Sequence, residues 1–134
     1  MNSHVRVQYS LQLFLLRKGE FFMKKIEAII RLGKLNEVKD ALAAAEILGI
    51  TVSHILGFGK QKGDTQIYRG QEVTTHLLPK IKLEIITSDK KVEEVIGIII
   101  KTARTGQVGD GKILVQNADE VVRIRTGEQG EEAI

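Results

Sequence analysis

Residues 80–116 read KIKLEIITSDKKVEEVIGIIIKTARTGQVGDGKILVQ, and this stretch decides the fold. Ile81, Leu83 and Ile85 alternate with Lys82, Glu84 and Ile86 across Lys80–Thr87, the period of a strand with one buried face. Ser88 or Asp89 stands where a helix cap is needed. Val92, Val95, Ile96, Ile99 and Ala103 then recur at helical spacing, which predicts a helix running to about Arg104. A glycine-rich loop follows, and Lys112–Gln116 reads as another strand.

The same order of elements occurs earlier in the chain. From Lys24 onward, Ile26, Ala28 and Ile30 fall on one face of a strand, with Glu27, Ile29 and Arg31 on the other. Lys34–Ile47 is predicted helical, with Leu35, Val38, Leu42 and Ala45 on one side and Gly49 as its stop. Ile50–Gly57 is β-branched and alternating, a second strand. Strand-helix-strand therefore occurs twice, which gives an α+β, ferredoxin-like βαββαβ fold: a four-stranded antiparallel sheet with both helices on one face. The second face carries Ile29, Ile86 and Val52-type residues among charged ones, and an oligomer covering it is the economical expectation. Between the two halves, the polar segment Phe58–Pro79 exceeds an ordinary hairpin loop, and loops of that length are usually functional or disordered. Near the end, Val121–Thr126 is predicted as a last short strand whose alternation aims Arg123 and Arg125 the same way, toward a carboxylate or phosphate. The alternative is a solvated edge strand.

Composition narrows the function. The chain has 134 residues, enough for one domain with a real core, and no cysteine, which fits a reducing compartment. Aromatic content of 4% with no tryptophan argues against a base-stacking surface, and hence against an RNA-binding ferredoxin-like domain. Residues 1–22 carry Arg6, Arg17 and Lys18 against Glu20; from chain totals of 20 and 17, this leaves 17 basic and 16 acidic residues in the remainder. That remainder is near neutral and has no electrostatic footprint for nucleic acid. Residues 1–22 also lack the periodicity of the rest. Lys18-Gly-Glu20 suits the purine-rich triplets of a ribosome-binding site before Met23, so 1–22 is expected to be a translated leader or disordered extension and 23–134 the folded domain.

The loop Thr105–Lys112 carries the chemistry. Gly106 to Lys112 matches G-x-x-x-x-G-K, but Ile113 replaces the Ser or Thr that would hold Mg²⁺ in a P-loop, and a strand follows where that motif needs a helix. The expectation is a nest of backbone N–H groups beside a lysine, binding an anion without NTPase machinery. An ATP-hydrolysing enzyme is the rival reading. Asp110, Glu84 and His76 could serve as acid-base groups only if a nucleophile or metal spacing supported them, and none does; His54 and His76 read as a strand and a loop residue.

At this point residues 23–134 resemble the PII signal-transduction proteins, trimeric sensors of nitrogen and energy status. The resemblance rests on MKKIEAIIR, TVSHILGFGKQKG, Ile67-Tyr-Arg-Gly70, LLPKIKLEII, TARTGQVGDGKI and Val122–Glu128. It implies a non-enzymatic homotrimer that binds ATP or ADP in clefts between subunits, with Phe58–Pro79 as the family's T-loop. The phosphates would be held by Gly109, Asp110, Gly111, Lys112, Arg123 and Arg125, with Lys60 and Lys62 from the loop base. Adenine and ribose contacts would come from the neighbourhood of Ile29, Thr51, Gly57 and Ile86. Gln61 would ligate Mg²⁺ beside the nucleotide, and Lys80 with the Gln61 backbone would hold 2-oxoglutarate on that metal. Arg69 matches the residue that plugs an ammonium transporter, which implies a cytoplasmic protein recruited reversibly to the membrane. Other members regulate transcription factors or enzymes such as glutamine synthetase through the same loop.

Two departures stand out. Lys60 replaces the arginine of many relatives, keeping the charge but losing a bidentate fork. Val73 replaces the modifiable tyrosine and Gln71 the serine phosphorylated in some photosynthetic relatives, so neither covalent route is available there and signalling by ligand binding alone is expected.

Overall fold

A computed structural model describes residues 22–59, 65–68, 71–74 and 77–134, and for 65–68 and 71–74 the backbone alone. Strand β1 spans Met23–Arg31, helix α1 Leu35–Ala44, β2 Thr51–Gly57, β3 Thr65–Tyr68, β4 Gln71–Thr74, β5 Leu78–Ser88, helix α2 Val92–Ala103 and β6 Lys112–Ala118. Four strands form one antiparallel sheet in the order β2-β5-β1-β6. Since β1 and β2 are both antiparallel to β5, they run parallel with β5 between them. β5 and β6 stand in the same relation across β1, and two such split βαβ units make the ferredoxin-like fold.

One face of the sheet is dry because its alternation is strict. Ile26, Ala28 and Ile30 of β1 and Ile81, Leu83 and Ile85 of β5 pack with Val38 and Leu42 of α1 and Val95, Ile99 and Ala103 of α2 in one buried cluster. Each large aliphatic side chain there contributes roughly 1.5–3 kcal/mol by leaving water. Both helices thus lie on one face, as the spacing predicts.

The boundaries differ in instructive ways. The helix predicted from Lys34 to Ile47 ends at Ala44, and Glu46, not Gly49, makes the left-handed turn at φ 61°. The Ile47 amide bonds the Leu42 carbonyl at 2.9 Å and the Glu46 amide bonds that of Ala43 at 3.0 Å, a Schellman closure. Burial of Ile47 beside Leu42 holds the strained residue in place. Neither Ser88 nor Asp89 caps α2 through its side chain: Asp89–Lys91 form a 3-10 turn and α2 begins at Val92. Strand β6 runs two residues past Gln116, to Ala118.

Three larger corrections follow from register. Val52 pairs with Leu83, so it lies on the helix side of the sheet at its exposed edge and does not belong to the open face. Phe58–Pro79 contains more than loop: β3 and β4 pair as an antiparallel hairpin, with Tyr68 opposite Gln71, and β5 already begins at Leu78. Val121–Thr126 is no strand. Its one ladder contact is an isolated bridge between Val122 and Gln129, and Ile124–Thr126 turn the chain so that the Gly127 amide bonds the Arg123 carbonyl at 2.8 Å. The two-residue alternation invoked for Arg123 and Arg125 is therefore lost, and the arginines are carried by a turn.

Candidate anion site at the open face

Alternation places Lys25, Glu27, Ile29 and Arg31 of β1 on the open face, beside Lys80, Lys82, Glu84 and Ile86 of β5. At the centre Lys82 lies 3.1 Å from Glu27 and 3.8 Å from Glu84, and Lys25 lies 3.6 Å from Glu84. These charges satisfy one another. Toward the Arg31 end the balance changes: Lys80 stands between Arg31 on β1 and Ile55 on β2, with the 104–111 loop above it.

That loop leads from α2 into β6, a helix-to-strand passage unlike that of a P-loop. Gly109 and Gly111 adopt φ of 104° and 95°. A Cβ on Gly111 would sit 1.7 Å from the Ile29 carbonyl oxygen, so both backbone conformation and space demand glycine. Arg31 reaches across from the end of β1: its Nε donates to Asp110 Oδ1 at 2.9 Å and its Nη2 to the Val108 carbonyl at 2.8 Å. Lys80 Nζ donates to the Gly109 carbonyl at 2.8 Å. Asp110 in turn accepts from the Thr105 hydroxyl at 2.5 Å and from the Thr105 and Gly106 amides at 2.9 Å each. The Thr105 hydroxyl is the main reason its carboxyl is held well below the usual carboxylate range; partial burial opposes this, and Arg31 and the two amides add to it. Lys80 is 9% exposed, and its pKa is lowered by burial first and by the Arg31 cation second, with Asp110 partly offsetting both.

Two consecutive carbonyls, Val108 and Gly109, are thus tied to cations. In a planar trans peptide N–H and C=O point in opposite directions, so the following amides, Gly109 and Asp110, face away from Arg31 and Lys80. Among the described residues neither amide has a hydrogen-bond acceptor. Beside them lies a cavity of about 610 Å³ lined by Ile29, Gly57, Lys80, Gly109, Gly111 and Lys112, with Phe58 and Val108 at its wall. Gly57 is fitted to Lys80: a Cβ there would stand 3.1 Å from the lysine Cγ.

The sequence-predicted residues therefore fall into two groups. Ile29, Gly57, Lys80 and Gly109–Lys112 converge on this cavity. Ile86 does not; it lies six residues along β5, roughly 20 Å away at the rise of a strand, and lines a separate cavity of about 400 Å³ with Lys91, Glu131 and Ile134. Arg123 belongs to that second end, with Nη2 donating to the Ile134 oxygen at 3.3 Å and Nη1 3.5 Å from Glu128. Arg125 is exposed on the same turn, and Thr51 opens β2 opposite Glu84. Lys60, Gln61, Lys62, Arg69 and His76 lie outside the described residues, as do residues 1–21 and the side chain of Val73. His54 is an exposed strand residue. Arg31 and Thr105 were not singled out by sequence reasoning. The signal for Arg31 was its parity with Ile29, which puts it on the open face beside the loop.

A ferredoxin-like sheet with a glycine loop and cations gathered at one corner defines a small α+β domain with a candidate anion site. The comparisons narrow that class. The family profile described as nitrogen regulatory protein P-II matches residues 23–128. Over 112 residues the chain is 56% identical to a nitrogen regulatory protein P-II of Mesorhizobium japonicum, covering 84% of this chain and all of that one. It is 53% identical over 113 residues to nitrogen regulatory protein P-II 2 of Methanothermobacter thermautotrophicus, covering 84% of this chain and 98% of that one. A crystal structure of Arabidopsis thaliana PII bound to citrate matches with a TM-score of 0.70 at 40% identity, covering 84% of this chain and 92% of that one. The chain belongs to the P-II family of nitrogen regulatory proteins. Among the described residues no helix is long and apolar enough to cross a membrane.

Proposed function

We propose that this chain is a non-enzymatic sensor that binds ATP or ADP between the subunits of a homotrimer and reports the bound nucleotide through its 58–79 loop. The observation that carries the reading is the 105–112 loop, whose carbonyls at 108 and 109 are held by Arg31 and Lys80 while the amides of Gly109 and Asp110, beside Lys112, have no acceptor among the described residues. Outward amides with an adjacent ammonium suit a polyphosphate. The Asp110 carboxylate, an acceptor only, would serve the loop's shape, leaving its amide for the ligand.

The trimer is supported by the division of the site. Gly109–Lys112 and Arg123 lie at opposite ends of one chain, so a nucleotide spanning both sets needs the second set from a neighbouring copy. The open face offers Ile29, Ile86 and the exposed Leu114 for that contact. Magnesium would arrive with the nucleotide: the described residues include no cluster of His, Asp and Glu able to hold a metal, and Lys80 and Lys112 disfavour a bare cation. Phosphate oxygens with the Gln61 amide oxygen make a donor set suited to Mg²⁺. 2-Oxoglutarate would then bind that metal and Lys80, so its uptake depends on Mg-ATP. That the Arabidopsis relative binds citrate supports a carboxylate ligand.

For output, the β3–β4 hairpin has Arg69 and Gly70 between its paired ends, and a guanidinium there suits the mouth of an ammonium transporter, with recruitment from the cytoplasm to the membrane. A transcription factor or glutamine synthetase is the alternative partner for the same loop. Calorimetric titration with ATP, ADP and 2-oxoglutarate, with and without Mg²⁺, tests the ligand reading. Expected are binding of both nucleotides and 2-oxoglutarate uptake with Mg-ATP alone; a trimer that takes up neither nucleotide would refute it.

A further inference from the structure

Arg31 belongs to neither the loop nor the set of residues expected to touch a nucleotide, yet its side chain hydrogen-bonds the loop at Asp110, Gln107 and Val108. Its guanidinium bridges two loop groups at once, the Asp110 carboxylate at 2.9 Å and the Val108 carbonyl at 2.8 Å. Asp110, anchored by that bridge, gathers the Thr105 hydroxyl and the Thr105 and Gly106 amides, just beyond the Arg104 cap of α2. A single cation on β1 therefore fixes both where the loop leaves the helix and which way its 108–109 peptide faces. The planar fork is what makes this possible, since one ammonium offers no rigid pair of donors to span two acceptors.

We propose that Arg31 is the positioning residue of the phosphate loop: through Asp110 and the Val108 carbonyl it turns the Gly109 and Asp110 amides toward the ligand and so sets nucleotide affinity. This rests on the nucleotide-binding reading above and adds to it a residue outside the expected contact set. The geometry also accounts for the placement of a carboxylate inside an anion site, where it would otherwise repel the ligand. Asp110 directs its oxygens to Arg31, Thr105 and Gly106, and Arg31 balances its charge.

The test uses the full chain and its Arg31→Gln, Arg31→Lys and Asp110→Asn variants. Calorimetry with ATP and with ADP gives affinity, and amide hydrogen exchange followed by NMR reads the loop. Expected for Arg31→Gln is about tenfold weaker binding of both nucleotides, with faster exchange at the Thr105 and Gly106 amides and unchanged exchange in β1 and β5. Asp110→Asn should do the same. Arg31→Lys, which keeps the charge but not the fork, should recover only part of the affinity. Full recovery by lysine would overturn the bridging role. Faster loop exchange with unaltered affinity would overturn the link to binding. Weaker binding with unaltered exchange would make Arg31 a ligand contact and overturn the positioning claim. If the wild-type chain bound no nucleotide, the nucleotide-binding reading would fail by itself. The clamp would then be judged on exchange: acceleration at Thr105 and Gly106 in Arg31→Gln upholds it, and no acceleration refutes it.

Discussion

The 105–112 loop and the 121–129 turn both present cations suited to an anion, but they are built on different principles. The first is tied down from outside by Arg31 on β1 and Lys80 on β5, and its Gly111 fits against Ile29. The second is held by its own neighbours: Arg123 bonds Glu128 and Ile134 through its side chain and Glu128 and Gly127 through its backbone. On the proposed reading, a ligand at the loop would meet a ready surface. At the turn it would meet an arginine already engaged by a carboxylate and by the last residue, so binding there would have to exchange partners. Pre-organisation would lower the cost of binding at one end, while competition would leave the other end open to adjustment.

The contrast breaks most sharply at Gly111. Gly111→Ala places a methyl 1.7 Å from the Ile29 oxygen at φ 95°, and should cost about 3 kcal/mol or more of stability in denaturant unfolding and abolish measurable nucleotide binding. An alanine variant with normal unfolding and affinity would mean that the loop is not built as described. Arg123→Ala should act on binding without acting on the fold. We expect about tenfold weaker nucleotide affinity, in the range of a lost charged hydrogen bond, with an unfolding midpoint close to that of the parent.

Glu128→Gln should have a smaller effect of the opposite sign. The Arg123–Glu128 pair is exposed, at 35% and 40% of side-chain surface, and such pairs are worth about 1 kcal/mol at most. Removing the carboxylate frees Arg123 and should tighten nucleotide binding by no more than about fivefold. At the rigid end, pH provides a gentler probe. Folded Lys80 loses its proton below the ordinary lysine value of about 10.4, so its charge costs stability at lower pH. That cost is relieved as pH rises through the folded pKa and is gone once the unfolded value is passed. Dicarboxylate affinity should fall over the same rise, and affinity flat up to the ordinary lysine range would remove Lys80 from the site.

The sequence made the sheet and its core legible because Ile26, Ala28 and Ile30 on β1 and Ile81, Leu83 and Ile85 on β5 recur at a period of two on one face. It failed where tertiary contacts override local pattern. Glu46 closes α1 although Gly49 is nearby, because Ile47 gains more by joining Leu42 in the core than a glycine turn would offer. Val121–Thr126 alternates like a strand, but its own backbone bonds turn it back on Gln129 and it joins no edge of the sheet. The glycines and the lysine of the loop were legible from their spacing. Arg31 was not, since the pairing that delivers it, 79 positions away from Asp110, exists only after the sheet has formed.

The central claim is that one nucleotide site is assembled from opposite ends of two copies of the chain. It is tested most directly by co-assembling Lys112→Ala and Arg123→Ala protomers and titrating the mixture with ATP. Each variant alone should bind poorly, while every mixed trimer should regain one tight site, where an intact Lys112 faces an intact Arg123. A mixture that binds no better than either variant, or a parent chain that stays monomeric yet binds ATP fully, would contradict the account.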